Sequence, residues 1–327
     1  MQKLPIKWGI SLPNRGALFG LAEVDDLIKC AAVAEQSGVF ESVWVGDSLI
    51  HKPRLEAITM LAALATHTKK VRLGTICMAS FPVRHPVLLA IQWATLDQIS
   101  KGRALLGVCI GGAHEGELRA FGVKREERVG RMMEGIELLR QIWSDEKVVH
   151  RGKYYTLENY NIVPKPLQKP PPIWIAVSPD REQAGDKVVD QAMRRVVTLA
   201  DGYITMGVTA EELGKRLKVI EGTASELGKD LSNFEVAIHG MVNIHDDKQS
   251  AYAQAKDYFN HYYGPTYPPE SLIKVWLAHG PPRDCARLIQ EWIDMGITTP
   301  VLRFTANDQL GQVRRFIDEV LPLLRLQ

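Results

Sequence analysis

The feature that most constrains this chain is a repeated alternation of short apolar strands with helical segments. Strand-like runs occupy residues 6–10, 42–45, 71–75, 104–108, 173–177, 202–205, 234–242 and 301–304. A helical pattern, or a longer segment ending in one, follows each; those of the first four units cover 24–36, 55–66, 86–99 and 125–143. Short apolar runs separated by helices specify parallel strands buried on both faces. Eight such units in 327 residues predict a single (β/α)8 barrel, with residues 1–327 as one domain. A doubly wound sheet is the competing arrangement. It lacks support, because no GxGxxG follows the first strand and no GxxxxGK(S/T) occurs.

A barrel carries its chemistry on the loops that follow the strands. Four stretches therefore become candidates: Asp47 and Ser48; Thr75 to Ser80, including Ile76 and Cys77; Cys109 to Glu117; and Ser178. The third is the most informative. The run ALLGVCIGGAHEGELRAF breaks an apolar strand at Gly111 and Gly112 and continues into His114, Glu115 and Glu117. A glycine pair there serves either a tight turn or a flat ligand lying against the backbone. Helices that share these loops aim their amino ends at the same mouth, which suits a phosphate. The sequence shows few fixed charges of one sign there, so the expected ligand is large, mostly apolar and anionic at one end.

Composition narrows the function classes. A 46% hydrophobic, 24% charged chain of net charge +2 has no nucleic-acid or membrane footprint. MQKLPIKWGIS enters a strand almost at once, without a signal peptide, and no apolar run approaches the roughly 20 residues of a membrane span, so the cytoplasm is the expected compartment. The four cysteines, Cys30, Cys77, Cys109 and Cys285, lie far apart without CxxC spacing, which predicts neither a disulfide framework nor a zinc site. His239 and His245, with Asp246 and Asp247, fit no metal-ligand pattern and read as residues flanking a strand.

The chain resembles the bacterial luciferase-like superfamily of flavin- and deazaflavin-dependent oxidoreductases. The matching pieces run in order along nearly the whole chain: VWVGDSL, VRLGT, RHPVLLA, ATLDQISKGRALLGV, FGVKREERVGRMMEGIELLRQIW, HRGKYYTLENYNIVPKPLQKPPPIWIAVS and LADGYI. The resemblance implies a (β/α)8 barrel with a small hairpin inserted between strands four and five. It implies a non-prolyl cis peptide between Ile76 and Cys77 behind the flavin ring, and a phosphate-binding turn at Ser178. GVCIG resembles GICRG of luciferase, where the cysteine lies near the reactive face of the flavin; that makes Cys109 a candidate. The arginine of that pattern is Ile110 here, with Arg84 or Lys52 as possible substitutes.

Many members carry histidine in the second loop for proton transfer. This chain has GDS, which leaves Asp47 as a cofactor or substrate contact and His114 as the best-placed proton donor. The deazaflavin-dependent sugar-phosphate dehydrogenases have histidine after the aspartate and glutamate after the glycine; these positions are Ser48 and Gly112 here, which argues against that activity. The implied reading is a reduced-FMN-dependent monooxygenase acting on a small organic substrate, served by a separate NAD(P)H-dependent flavin reductase. The alternatives are a hydride-transfer oxidoreductase using the deazaflavin coenzyme F420, favoured by a basic path through Lys52, Arg54, Arg84, Arg181 and Lys187, and a flavin-binding protein without turnover. The cofactor residues on this reading are Asp47, Ser48, Thr75, Ile76, Cys77, Cys109, Gly111, Gly112 and Ser178. A homo-oligomer pairing through the apolar helix 55–65 is expected. The charged segment 180–190 is expected to be a surface excursion or lid, the PTYPP segment 265–269 is expected to bound a loop over the mouth, and the aromatic cluster Tyr258, Phe259, Tyr262, Tyr263 and Tyr267 is expected to line the pocket or an oligomer face.

Overall fold

Eight parallel strands close on one another in the computed structural model, which describes residues 4–112, 114–144, 147–179, 181–265 and 267–326. In chain order the elements begin with β1 (Trp8–Leu12), α1 (Val24–Gln36), β2 (Phe40–Asp47), α2 (Ala57–His67), β3 (Arg72–Met78), α3 (Pro86–Ser100) and β4 (Ala104–Val108). There follow α4 (Glu115–Ala120), α5 (Arg128–Trp143), the hairpin β5 (Val148–Arg151) and β6 (Thr156–Tyr160), then β7 (Ile173–Ala176), α6 (Arg181–Ala184), α7 (Asp186–Leu199) and β8 (Gly202–Thr205). The last part holds α8 (Ala210–Leu227), β9 (Glu235–Ile244), α9 (Lys248–Tyr263), α10 (Glu270–Trp276), β10 (Leu277–Gly280), α11 (Pro282–Asp294), β11 (Thr299–Phe304) and α12 (Gln309–Arg315). The ring runs β1-β2-β3-β4-β7-β8-β9-β11 and returns to β1. This is the (β/α)8 barrel that the alternation predicts, and the antiparallel hairpin β5–β6 is its insertion between the fourth and fifth ring strands.

The ring closes because large side chains inside it face glycines. Trp44 and Trp174 sit within the barrel with Ile76, Leu105, Ile204, Ala237 and Val301, their rings 5.5 Å apart. A Cβ at Gly74 would lie 2.5 Å from the Trp44 ring, and one at Gly202 would lie 2.6 Å from Trp174. Close packing of this kind leaves no room for even one added methyl group. Beneath this layer Glu235 accepts from Arg72 at 2.8 and 2.9 Å, Lys7 at 3.0 Å and Thr299 at 2.7 Å, sealing the floor. The larger apolar core fills the space between the sheet and the helices.

Several elements differ from the sequence expectation. The helix expected over 125–143 is present, its first three residues Arg125–Glu127 a 3-10 turn ahead of α5, and the loop before it holds an unexpected short helix, α4. The strand expected over 234–242 runs on as β9 to Ile244, because its second half pairs with β10, which stands outside the ring. Of the segment 180–190, Asp180 lies outside the described residues. The rest is α6 and the start of α7, pinned by Arg181 to Glu212 of α8 at 2.8 Å and to Asp186 at 2.7 Å. Arg181 thereby ties this surface segment to α8. In α2, Leu61 and Leu64 are fully buried within the chain, while Ala62 and Ala63 are partly exposed. Among the described residues no helix is long and apolar enough to cross a membrane.

Candidate active site

At the carboxyl end of the strands a cavity of about 460 Å³ opens between the loops after β2 and β4. Asp47, Ser48, Lys52, Arg54, Gly112 and His114 line it. Its wall is built by backbone irregularity. The pairing of β3 shifts register against both β2 and β4, and the peptide between Ile76 and Cys77 is cis, where the resemblance places it. Gly111 has φ +67°, and a Cβ there would lie 2.2 Å from the Ala79 carbonyl, whereas a Cβ at Gly112 would meet nothing within 4 Å. Gly111 thus makes the tight turn, and Gly112 leaves open space at the cavity wall.

The two loops are tied together across the cavity. Glu117 accepts from the backbone N–H groups of Ile50 at 3.2 Å and His51 at 2.7 Å. His114 caps α4 by accepting from the Glu117 N–H at 3.2 Å, and its ring stacks on His51 with centroids 4.1 Å apart. Burial, then His114 and Lys52, lower the pKa of His51.

Other expected residues are hydrogen-bonded or packed within the chain. Asp47 is buried; it accepts from the Ser80 N–H at 2.8 Å, the Ser80 hydroxyl at 2.5 Å and Arg84 at 3.0 Å. Its carboxylate thus holds the turn after β3 and faces a cation that Glu56 shares at 2.9 Å. Thr75 donates to the Gly107 carbonyl at 2.7 Å and accepts from the Gly107 N–H at 3.1 Å, spending its hydroxyl on β4. Ile76 packs in the barrel interior. Ser178 donates to the Met206 carbonyl at 2.6 Å and accepts from Arg216 at 3.3 Å, an arginine that sequence reasoning missed.

The inner part of the mouth holds the residues that were least expected. Arg303, on β11, is fully buried; it donates to the Tyr262 hydroxyl at 2.7 Å, the Ser11 hydroxyl at 2.6 Å and the Leu12 carbonyl at 3.1 Å. It has no carboxylate partner among the described residues, and its Nε has no hydrogen-bond partner. His239 is a residue of β9 and not a flank of it, and its buried Nε2 is likewise unpartnered, as is the Tyr258 hydroxyl. Burial, then Arg303 and Arg54, hold the pKa of His239 well below the ordinary histidine range. Of the aromatic cluster, Tyr258, Phe259 and Tyr262 are buried beside Trp276, and Tyr263 and Tyr267 face Lys52 of the cavity lining. In the segment 265–269, Thr266 lies outside the described residues, and Tyr267 packs on Tyr263 and Trp276.

The charges also differ from expectation. The mouth collects cations: Lys52 lies 5.6 and 5.2 Å from the Tyr263 and Tyr267 rings, and Arg54 lies across Gly46, where a Cβ would be 2.1 Å from its Nη1. Burial, then Arg15 and Arg54, lower the pKa of Lys52. The five-residue basic path does not form, because Arg84 and Arg181 are consumed by carboxylates. The cation at the fourth loop is Arg128, which donates to the Gly111 carbonyl at 2.8 Å. A lone charge inside an otherwise apolar strand is the signal that would have found Arg303.

The sequence profile of the luciferase-like monooxygenases matches residues 6–299. The chain belongs to the luciferase-like monooxygenase family. Among its relatives, the F420-dependent glucose-6-phosphate dehydrogenase of Kineococcus radiotolerans is 26% identical over 322 residues, covering 90% of this chain and 91% of that protein. The enzyme of the same description from Amycolatopsis mediterranei is 26% identical over 334 residues, covering 92% and 94%. The fold recurs in the monooxygenase RslO1 from Streptomyces bottropensis, with TM-score 0.80, 22% identity and coverage of 97% and 99%. It recurs again in an F420-dependent secondary alcohol dehydrogenase bound to an F420-acetone adduct, with TM-score 0.79, 21% identity and coverage of 98% and 100%. As a luciferase-like protein the chain is an oxidoreductase, and its cavity stands at the strand ends where barrels of all kinds place their chemistry.

Proposed function

We propose that this luciferase-like protein is an F420-dependent oxidoreductase that passes hydride to or from a small, oxygen-bearing organic substrate. The observation that carries the reading is the state of the cations. Lys52 and Arg54 line the cavity without a carboxylate partner among the described residues, and Arg303 below them has none either. Buried or half-buried cations that lack counter-ions suit a polyanionic ligand, since desolvating them alone is costly. The deazaflavin coenzyme with its acidic tail meets that need more fully than FMN. The F420-dependent relatives support the same direction.

The residues fit such a group on three counts. Gly112 leaves open space at the cavity wall, Ser48 presents a hydroxyl to it, and Arg54 of its lining acts electrostatically on His239 and Tyr258, whose buried polar atoms, like Nε of Arg303, are unpartnered. When bound, the deazaflavin supplies a hydride acceptor or donor. His239, kept neutral, has an unpartnered ring nitrogen that can take the proton of a substrate hydroxyl, and Arg303 and Tyr258 can hold its oxygen. His114 already accepts a backbone hydrogen bond through Nδ1 and sits at the exposed rim, which suits it to shaping the wall. Ser48 and Gly112 replace the histidine and glutamate of the sugar-phosphate dehydrogenases, so a sugar phosphate is not the proposed substrate.

Titration of the apo protein with F420 and, separately, with reduced FMN under exclusion of oxygen tests this reading. Tighter binding of F420 by at least about tenfold is expected. The opposite preference would restore the reduced-FMN monooxygenase with its separate reductase, and binding of neither would remove the cofactor site.

A further inference from the structure

Cys77 lies in β3 and Cys109 directly follows the neighbouring β4, and their sulfur atoms lie 2.6 Å apart. The register pairs Met78 with Val108, so Cys77 precedes one member of that pair and Cys109 follows the other. Closing to a disulfide bond of about 2.05 Å would need an approach of little more than half an ångström. Both residues are partly accessible, and their neighbours Ala79 and Ile110 line the cavity. The other two cysteines are different: Cys30 is buried in α1, and Cys285 is buried in α11 against the Gly280 carbonyl.

We propose that Cys77 and Cys109 are a redox-active dithiol that closes reversibly to a disulfide in the cavity wall. The oxidant is a hydroperoxide. Cys109 attacks the O–O bond and becomes a sulfenic acid, with loss of water (or of the alcohol, for an organic hydroperoxide). Cys77 then displaces hydroxide from that sulfur, forming the S–S bond and a second molecule of water; two thiol protons and two electrons have gone to the peroxide. Cys109 takes the first step because it sits at the start of the open loop after β4, next to Ile110 of the cavity lining. Contact with Cys109 and then burial push the Cys77 thiol well above its usual range, which suits the resolving role. The reverse reaction is exchange with a dithiol reductant.

The test is thiol counting on the full chain after treatment with equimolar hydrogen peroxide, followed by alkylation in denaturant and peptide mapping. Two of the four thiols are expected to vanish, with a cross-linked peptide joining Cys77 to Cys109, and both return with dithiothreitol. The double variant Cys30→Ser, Cys285→Ser is expected to behave identically, and Cys109→Ser is expected to keep its remaining thiols. Four free thiols after peroxide, a sulfinic acid on one cysteine, or a cross-link to Cys30 or Cys285 would each overturn the proposal. A second arm, resting on the F420 reading, compares F420 affinity of the oxidised and reduced protein; a change of about tenfold is expected, and equal affinities would separate the disulfide from the cofactor site. The thiol count stands whether or not F420 binds.

Discussion

Gly111 and Gly112 adjoin in sequence and carry different constraints. An alanine at Gly111 must hold φ near +67° and push its Cβ into the Ala79 carbonyl, so Gly111→Ala is expected to cost at least about 2 kcal/mol in denaturant unfolding. Gly112→Ala meets open space and is expected to stay within about 0.5 kcal/mol of the parent while narrowing the cavity. His239 gives a pH signature. Its folded pKa is depressed below the unfolded value of about 6.5, so its contribution is complete above that pH and is lost as pH falls toward the folded value, where the unfolded chain takes up a proton that the folded one refuses. Between pH 7 and pH 5, His239→Asn is expected to lose less stability than the parent, by up to about 1.4 kcal/mol per pH unit. Equal slopes in the two proteins would show that His239 is protonated in the fold. At this scale the sequence was partly legible. Ser48, Gly112 and His114 were found because loop position alone selects them, whereas His239 and Arg303 sit within apolar strands and are reached only by asking which way alternate residues point.

Elements depend on side chains that bridge them. Glu134 of α5 accepts from the backbone N–H groups of Lys153, Tyr154 and Tyr155 at 2.8–3.1 Å and contacts His150 at 3.3 Å, fastening the inserted hairpin to the barrel. Burial disfavours its charge, and the backbone donors reverse that, leaving its pKa lowered. Glu134→Ala is expected to cost about 2–3 kcal/mol and to speed amide exchange in β5 and β6 first; unchanged exchange there would mean that the apolar contacts of Tyr155 and Leu157 hold the hairpin alone. The ring strands were legible because apolar runs of four to eight residues recur between helices. The short helix α4 was not, since His114 as a cap and the Glu117 contacts to the second loop are tertiary facts. Nor was β10, four residues following a helix without a break in hydrophobicity.

For the whole molecule the decisive contact joins the first strand to the last. The backbone pairs Gly9 with Val301 and Ile10 with Leu302, and Arg303 adds hydrogen bonds to Ser11 and Leu12 across the same seam. The side chain thus serves closure and site together, and the two roles separate in Arg303→Met. Methionine removes a buried cation that has no counter-ion, which is a gain, and strands two hydroxyls and a carbonyl, which is a loss of about 1–3 kcal/mol for each group left unsatisfied. A net loss of about 1–3 kcal/mol is expected, with the urea midpoint lowered and the m-value unchanged, because backbone pairing still closes the ring. A reduced m-value or a second transition would mean instead that the ring opens without the guanidinium, and that the cation at the base of the mouth is first a clasp and only then a ligand for substrate.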